Sequence, residues 1–313
     1  MKKTAKFLAL LCAVLMLVAA VTGCSSAPAE ESAESPAPSE SPAAEETAAP
    51  SASAEATEAP TESAEPATET PTLDAIRERG TLILGTESTY PPFEFIVMEN
   101  GTSVTVGFDV SLAQAIADKL GVELVTSEMA FDSLIPAVQA GNVDIAASIT
   151  PTDERKEAVD FSDNYYDTTN VFVVRKGEEG NFTSKESFTD KTIGAQMGTA
   201  QNTLVVEDMT NAKSLLLPKT TTLIQELNTG NIDAICLEKP VADIYVAAYP
   251  DDLALCSYEV PVEGGGVAIP VAKGNDDLLA FINEVIAEMK ANGEMDRIYQ
   301  EACTLAIDQL GDE

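Results

Sequence analysis

The chain has 313 residues, with 52 acidic and 18 basic side chains and a formal net charge of −34. A chain this acidic is a poor partner for nucleic acids and for anionic membrane surfaces. The sequence contains no His, no Cys/His metal-binding spacing, no P-loop and no dinucleotide fingerprint, so it implies neither a metal nor a cofactor.

The first 24 residues have the pattern of a processing signal. Three lysines precede an apolar run over residues 7–21, and small residues then lead to Cys24. An apolar run of roughly 15 residues is short for a transmembrane helix, whereas this order is typical of a secretory signal peptide. The Val-Thr-Gly-Cys end resembles the lipobox of bacterial lipoproteins. It implies a signal peptide over 1–23 and an extracytoplasmic protein, anchored to the cell membrane by lipid on Cys24.

Residues 25–71 contain only Ala, Pro, Ser, Thr and Glu, with eleven Glu and no basic residue. Such a segment cannot bury enough apolar surface to offset its chain entropy, and its like charges repel one another. We therefore expect residues 24–71 to be a lipidated Cys followed by a disordered acidic linker. Without this linker and the leader, the chain still has 41 acidic and 15 basic residues.

The segment from residue 72 to residue 313 is long enough for one large domain or two modest ones. Hydrophobic periodicity and Gly stops predict a helix over 73–80 and a strand over 81–85. Tyr90 and Phe93 lie on the Pro-rich loop that follows. We expect Tyr90 to flank a ligand and Phe93 to be part of the core. Next come a helix over 107–120 and a strand over 122–125. The buried stripe of that helix is expected to comprise Leu112, Ala113, Ile116, Ala117 and Leu120.

The stretch over 131–166 has the most informative pattern. A short amphipathic helix over 132–140 ends at Gly-Asn, and a buried strand over 143–147 follows. The strand leads to Thr150, and a new helix begins near Arg155. A strand end followed by a helix N-terminus is a common ligand site in open α/β sheets. An Arg there can grip a carboxylate with two parallel hydrogen bonds.

The second half repeats this arrangement. Strands are predicted over 169–174 and 191–195, and a Gly-Thr turn at Thr199 precedes a helix. Further helices are predicted over 223–227, 241–249, 276–289 and 293–305. The first unit reads VQAGNVDIAASITP and the second reads ELNTGNIDAICLEKP. Two such units would place Arg155 and Thr150 opposite Glu238, which suits a zwitterion. Alternating elements predict parallel sheets covered on both faces.

The chain from residue 72 onward resembles the extracellular solute-binding proteins of family 3, the amino-acid-binding components of ABC importers. The matching stretches are GTESTYPPFEF, VGFDVSLAQAIADKLGV, FDSLIPAVQAGNVDIAASITPTDERKEAVDFSDNYY, IGAQMGTAQNTLV, NTGNIDAICLEKPVAD and GGGVAIPVAKGNDDL. The resemblance implies an α/β, two-lobed type II periplasmic-binding-protein fold with two crossover hinge strands. It implies crossings near 168–171 and near 260–264. Lobe one is expected at 72–168 plus 264–313, and lobe two at 169–263.

The resemblance also implies a set of ligand contacts. Arg155 falls on the carboxylate-binding position, and Glu238 on the ammonium-binding one, which is more often Asp in the family. Glu87 falls on a position that contacts polar or basic side chains when it is acidic, which favours a ligand such as Gln, Lys or Arg. The implied ligand-binding set is Glu87, Tyr90, Phe131, Ala147, Ser148, Thr150, Arg155, Gln196, Thr199, Ala200, Gln201 and Glu238.

The implied mechanism is closure of the two lobes on a free amino acid, followed by docking on an ABC permease in the membrane. We expect a monomer without enzymatic activity. Two alternatives stay open: a ligand-sensing lipoprotein, and a dehydratase-like enzyme on the same fold. The enzyme is disfavoured because acid–base catalysis near neutral pH most often uses His. Cys236, Cys256 and Cys303 leave at least one thiol unpaired, and a Cys236–Cys256 bond is one possibility.

Overall fold

The structure is a computed structural model that describes residues 70–311. The predicted signal peptide, the lipid anchor on Cys24 and nearly all of the linker lie outside this part of the chain. The first helix begins at Pro71, so the last two residues of the 24–71 segment belong to the fold. Within residues 70–311, no helix combines the length and the apolar character that a membrane span needs.

The first half of the described chain alternates short strands with helices. Its elements are α1 (Pro71–Arg79), β1 (Thr81–Thr86), β2 (Thr89–Tyr90), β3 (Glu94–Glu99), β4 (Thr102–Val106), α2 (Phe108–Leu120), β5 (Glu123–Glu128), α3 (Leu134–Gln139), β6 (Ile145–Ala146), α4 (Asp153–Ala158) and β7 (Val159–Phe161). The helices predicted over 73–80 and 107–120 are confirmed, and so is the helix start near Arg155.

The second half contains the longest strands and helices. Its elements are β8 (Tyr166–Arg175), β9 (Thr192–Gln196), α5 (Ala200–Thr203), β10 (Lys213–Leu217), α6 (Thr220–Asn228), β11 (Ala234–Glu238), α7 (Lys239–Ala248), β12 (Leu253–Val267), β13 (Pro270–Ala272), α8 (Asp276–Asn292) and α9 (Glu294–Gly311). The short helix α5 continues into one π-helical turn over Leu204–Asp208.

Two sheets carry the fold. The first has the order β5-β1-β6, and all of its pairs are parallel. The second has the order β10-β9-β11-β8-β12, in which β10, β9 and β11 are parallel to one another. The prediction of parallel sheets is therefore correct for these strands. It is wrong for β8 and β12, which pair with each other antiparallel, and for β8 against β11.

The repeated Gly-Asn-aliphatic-Asp motif has a structural role in both units. In the first unit, Asp144 Oδ2 accepts a 2.8 Å hydrogen bond from the backbone N–H of Ile83 in β1. In the second unit, Asp233 Oδ2 accepts a 2.8 Å hydrogen bond from the backbone N–H of Thr192 in β9. Each Asp thus fastens its own short strand to the start of the neighbouring parallel strand. The repeat therefore fixes strand register in both sheets.

The strands β8 and β12 are the two predicted crossings. Asn170 lies opposite Val260, and Thr169 lies opposite Pro261. The pairing is interrupted after Pro261 and resumes with Gly266 opposite Asp167. The crossings predicted near 168–171 and 260–264 fall within these two strands, and the lobe boundaries drawn from them stay a prediction.

A hairpin of β3 and β4 was not predicted. Its turn is Asn100-Gly101, with φ values of 51° and 83°. An Asn-Gly pair flanked by alternating hydrophobic residues is a strong sequence signal for a hairpin. The signal was present in the sequence and was overlooked. The hairpin buries Phe95 and Val97 and exposes Ile96 and Met98.

The cores follow the predicted apolar faces. The predicted stripe of α2, which comprises Leu112, Ala113, Ile116, Ala117 and Leu120, is buried. Phe93 is fully buried, as predicted. Its ring centroid lies 6.0 Å from those of Tyr90 and Phe108, and 5.8 Å from that of Tyr166. This aromatic cluster joins the loop after β1 to the start of α2.

Gly107 provides a test of this junction. It precedes α2 with φ of 136°, and a Cβ there would overlap the carbonyl oxygen of Phe93. We expect Gly107→Ala to lower the free energy of unfolding by about 3 kcal/mol or more, because overpacking adds to backbone strain. In Gly101→Ala only the strain applies, since no atom lies within 4 Å of the added Cβ. Urea unfolding of both variants would show this difference, and equal losses would contradict the packing argument.

Candidate functional site

Arg155 lies in the first turn of α4, whose N-terminus is capped by Thr152 through a 3.3 Å hydrogen bond from the Arg155 N–H. Its Nη1 donates to the carbonyl oxygen of Thr150, and its Nη2 donates to that of Gly198, both at 2.9 Å. The guanidinium carbon lies 5.4 Å from the centroid of the Phe131 ring, within cation–π range. Among residues 70–311, no carboxylate lies within ion-pair distance of Arg155, so its charge lacks a counter-ion there.

Glu238 ends β11 and is 2% exposed. Its Oε1 accepts hydrogen bonds from Thr150 Oγ1 at 3.2 Å and from Gln201 Nε2 at 3.4 Å. Its Oε2 is buried and has no partner in the described structure. Burial raises the pKa of Glu238 to about 7, although the Thr150 and Gln201 hydrogen bonds and the charge of Arg155 oppose the shift. The arrangement favours a cation beside Oε2.

Thr150 connects these two charged groups. Its carbonyl oxygen accepts from Arg155 and its hydroxyl donates to Glu238. A guanidinium and a carboxylate therefore lie on either side of one residue. In an amino acid the carboxylate and the ammonium are bound to the same carbon, so they suit two opposite charges that are held this close together.

Glu87 lies after β1 and is 5% exposed. Its carboxylate accepts from Thr89 Oγ1 at 2.8 and 2.9 Å, and from Gln196 Nε2 at 2.9 Å. Burial raises the pKa of Glu87 against the effect of these bonds and of Lys219. No basic side chain of the described residues lies within ion-pair distance of Glu87. A second buried acidic group thus lies where Gln196 of the second sheet meets the loop after β1.

The remaining predicted residues either contact the charged groups of this cleft or hold the turns that carry them. Tyr90 is 8% exposed, and its hydroxyl accepts a 3.4 Å hydrogen bond from the Glu238 N–H. Thr199 caps α5, because its hydroxyl accepts from the Asn202 N–H at 3.1 Å and donates to the Gln196 carbonyl at 2.7 Å. Ala200 is the first residue of α5. The Thr199 hydroxyl therefore serves the turn itself.

Ala147 and Ser148 are buried at the end of β6. Ala147 N–H donates to the carbonyl oxygen of Gly85 at 3.1 Å. The Ser148 hydroxyl contacts the carboxyl groups of Glu94 and Asp109 at 2.9 and 2.8 Å. The side chain of Ser148 thus points to the support beneath the loop, and its expected role as a ligand contact stays a prediction for its backbone.

Sequence reasoning missed several buried polar residues around the cleft. Asn170 in β8 accepts a 2.8 Å hydrogen bond from Gln201 Nε2, which fixes the amide that also reaches Glu238. Glu94 follows the Pro-rich loop, and Asp109 lies in the first turn of α2. Their signal was a carboxylate within an otherwise apolar run, which predicts a buried and hydrogen-bonded group.

Two cavities flank Arg155. One of about 220 Å³ is lined by residues that include Asn170, Thr199 and Glu263. The other, of about 240 Å³, is lined by residues that include Phe131 and Asp132. Arg155 lines both cavities.

The three described cysteines are free thiols. Cys236 lies in β11 and Cys256 in β12, and β8 runs between these strands. The possible Cys236–Cys256 bond is not formed.

The chain is similar to proteins of known family. Residues 82–303 match the family model of bacterial extracellular solute-binding proteins, family 3. The chain belongs to this family. Among curated relatives of this solute-binding protein, the arginine-binding extracellular protein ArtP of Bacillus subtilis is 36% identical over 220 residues, which are 69% of this chain and 84% of ArtP. The L-cystine-binding protein TcyJ of Escherichia coli is 32% identical over 224 residues, which are 71% of this chain and 82% of TcyJ.

Solved structures of similar proteins support the fold. The substrate-binding protein AbpA from Streptococcus pneumoniae, solved with L-arginine, gives a TM-score of 0.71 at 33% identity and covers 75% of this chain and 99% of its own. The ancestral amino-acid-binding protein AncCDT-1, a precursor of cyclohexadienyl dehydratase, gives 0.67 at 32% identity and covers 74% and 98%. The predicted family and the two-lobed type II fold are confirmed. As a member of an extracellular family, the solute-binding protein acts outside the cytoplasm.

The raised pKa of Glu238 predicts a pH-dependent stability. A carboxyl whose folded-state pKa is raised contributes stability below its unfolded pKa, and this contribution is lost as pH rises through the folded value, here about 7. Without ligand, we expect Glu238→Gln to be more stable than the natural protein at pH 8, by up to about 3 kcal/mol, and to lose this advantage near pH 4. Chemical unfolding at several pH values measures it. The exposed Glu123→Gln is the control, and a pH-independent difference would contradict the prediction.

Proposed function

We propose that this solute-binding protein binds a free amino acid with a positively charged side chain, L-arginine being the first candidate, and delivers it to an ABC importer. The observation that carries the proposal is that Glu238 Oε2 is buried without a hydrogen-bond partner among residues 70–311. Thr150 contacts both Arg155 and the other carboxyl oxygen of Glu238, so the two charged groups share a neighbour. Arg155 would bind the α-carboxylate in the bidentate manner of guanidinium groups. Glu238 would bind the α-ammonium.

The proposed preference for a basic side chain rests on Glu87. A buried carboxylate without a basic partner is stabilised more by a guanidinium or ammonium than by a neutral donor. The relatives support this choice, since ArtP is named as arginine-binding and AbpA was solved with L-arginine. An ancestral arginine-binding protein, 38% identical with a TM-score of 0.65, was solved with glutamine, so a neutral amide is the nearest competitor.

Lobe closure is the proposed mechanism. Several hydrogen bonds join residues of the predicted lobe one to residues of the predicted lobe two. Those at the candidate site are Arg155 to Gly198, Thr150 to Glu238, Tyr90 to Glu238 and Glu87 to Gln196. These contacts bury charged groups that a ligand would neutralise. The ligand therefore favours the closed state over an open one in which water solvates the same groups.

The proposed place of action is the outer surface of the membrane, with lipid on Cys24 as the anchor and residues 25–71 as the tether. We propose binding without catalysis. AncCDT-1 is itself named as a binding protein that preceded a dehydratase, and this sequence has no His. A sensing role would use the same cleft and differ only in the partner.

Calorimetric titration against the common amino acids tests the proposal. The protein is first stripped of ligand by unfolding and refolding. We expect L-arginine to bind at micromolar concentration or below, which is about −8 kcal/mol, and no amino acid to be consumed. Arg155→Ala should weaken binding by about 2–5 kcal/mol, because it leaves a desolvated carboxylate unpaired. The exposed Arg297→Ala should leave it unchanged. Unchanged affinity of Arg155→Ala would contradict the proposed site. If none of the amino acids gives a binding signal, the proposal that the ligand is an amino acid is wrong.

A second variant tests the side-chain end of the cleft. Glu87→Gln keeps the size of the side chain and removes its charge. We expect it to weaken L-arginine binding about tenfold or more, because a charge-assisted hydrogen bond is lost, and to change L-glutamine binding much less. The exposed Glu123→Gln serves as a matched control, since no side-chain hydrogen bond or charge effect links Glu123 to Glu87. Equal losses for both ligands would show that Glu87 does not read the side chain.

A further inference from the structure

Four polar groups form a buried cluster beneath the Thr150 loop: Glu94 in β3, Asp109 in α2, Ser148 after β6 and Tyr165 before β8. They are 1%, 4%, 4% and 2% exposed, respectively. Within residues 70–311, no basic side chain lies within ion-pair distance of either carboxyl group. Two buried carboxyl groups thus share one site without a counter-charge, a situation in which both do not ionise together.

The hydrogen bonds of the cluster require a proton on one carboxyl group. Ser148 Oγ lies 2.9 Å from Glu94 Oε2 and 2.8 Å from Asp109 Oδ2. A serine hydroxyl has one proton and donates to one acceptor. The other short oxygen–oxygen contact therefore needs a proton from the carboxyl side.

The proton belongs on Glu94. Asp109 Oδ2 already accepts from the Ser148 N–H at 2.7 Å and from the Tyr165 hydroxyl at 2.6 Å, which stabilises a negative charge there. The Glu94 carboxyl group accepts neither of these donors, and its side-chain contacts are with Ser148 Oγ and with Asp109 itself. A protonated Glu94 donates to Ser148 Oγ, which in turn donates to Asp109. Burial and the nearby charge of Asp109 raise the pKa of Glu94 well above its usual value, in agreement with this assignment.

The cluster holds the backbone from which the ligand contacts extend. Ser148 has φ of 50°, an uncommon conformation for a residue other than glycine. Its N–H and its hydroxyl are both tied to Asp109, and two residues later Thr150 contacts Arg155 and Glu238. A shift of Ser148 would therefore move both charged groups of the proposed site.

We propose that Glu94, Asp109 and Ser148 are positioning residues that hold the Thr150 loop by sharing one proton between two buried carboxyl groups. The proposal rests on the proposed function for its effect on binding, but the shared proton exists without a ligand. The titratable groups that face the cluster are Tyr165, Tyr90, Glu87 and Glu238. None of them is cationic, so none supplies a counter-charge to the two carboxyl groups when pH rises.

Carboxyl-carbon NMR of the ligand-free protein, labelled at Glu and Asp, tests the shared proton directly. Loss of a resonance in Glu94→Gln and in Asp109→Asn assigns the two groups. At pH 7 we expect Glu94 to have the shift of a carboxylic acid and Asp109 that of a carboxylate. The exposed Glu99→Gln on the same strand is the control. A Glu94 resonance that is fully ionised at pH 6 would overturn the proposal, whatever the protein binds.

Binding of L-arginine between pH 6 and pH 9 tests the positioning role. Glu94→Gln supplies a permanent neutral donor to Ser148 and should retain affinity within about threefold at every pH. Glu94→Leu has similar volume but no donor, and Ser148→Ala lacks the bridging hydroxyl. Each should weaken binding about tenfold or more, as expected when a buried polar group is left unpaired. Equal losses in Glu94→Gln and Glu94→Leu, or full affinity in Ser148→Ala, would overturn the proposal. If the natural protein does not bind L-arginine, the proposed function fails and the NMR result alone decides on the cluster.

Discussion

The cleft is organised by the half-buried guanidinium of Arg155 and the buried carboxyl group of Glu238, neither of which forms an ion pair within residues 70–311. Arg155 is surrounded by carbonyl oxygens and an aromatic ring, and Glu238 has one oxygen with no hydrogen bond. Removing a charge from water costs several kcal/mol unless an opposite charge and hydrogen bonds replace the solvent. The closed arrangement therefore favours a ligand that supplies both a negative and a positive group. In the proposed mechanism, neutralisation of these two groups by the ligand therefore favours binding and lobe closure together.

The position of those charges depends on a loop rather than on a long element. The helix α4 has only six residues and β6 has only two, so neither orients Arg155 and Thr150 by its own length. The segment between them is fixed from several sides instead. Ala147 bonds to Gly85, Ser148 to Asp109, and Ile149 to Ala268 through a single bridge. The hairpin, α2 and the chain that returns after β12 all meet at this loop.

The sequence was most informative where function and local pattern coincide. Arg155 at a helix start and Glu238 at a strand end were both found from short-range patterns, and the structure brings them to the two sides of Thr150. The predicted stripe of α2 followed from periodicity in the same way, and the burial of Phe93 was the default expectation for a large aromatic side chain. The repeated Asp144 and Asp233 were recognised as a pattern, but their shared role in fastening a strand to its neighbour became visible only with strand pairing.

What the sequence left hidden depends on contacts between distant segments. Glu94 and Asp109 are 54 and 39 residues from Ser148, and no periodicity links them. Asn170 was missed because it lies in a strand whose antiparallel pairing contradicts the expected parallel sheet. Ser148 was expected to contact the ligand from its place at the strand end, yet its positive φ directs its hydroxyl to the support below. Backbone conformation of this kind is set by tertiary packing and not by local sequence.

Selectivity in such a cleft falls on the group that reads the side chain, because every amino acid supplies the same carboxylate and ammonium. Glu87 already accepts a hydrogen bond from Gln196 and two contacts from Thr89. A ligand must therefore offer Glu87 a stronger hydrogen bond than the one that the neutral Gln196 amide donates. A hydrogen bond to a charged group contributes about 1.5–3 kcal/mol, against about 0.5–1.5 kcal/mol for a neutral pair. A cationic side chain gains from that difference and a neutral amide does not. In the proposed function, the buried carboxyl group of Glu87 thus sets the direction of selectivity, while Arg155 and Glu238 set the affinity common to all amino acids.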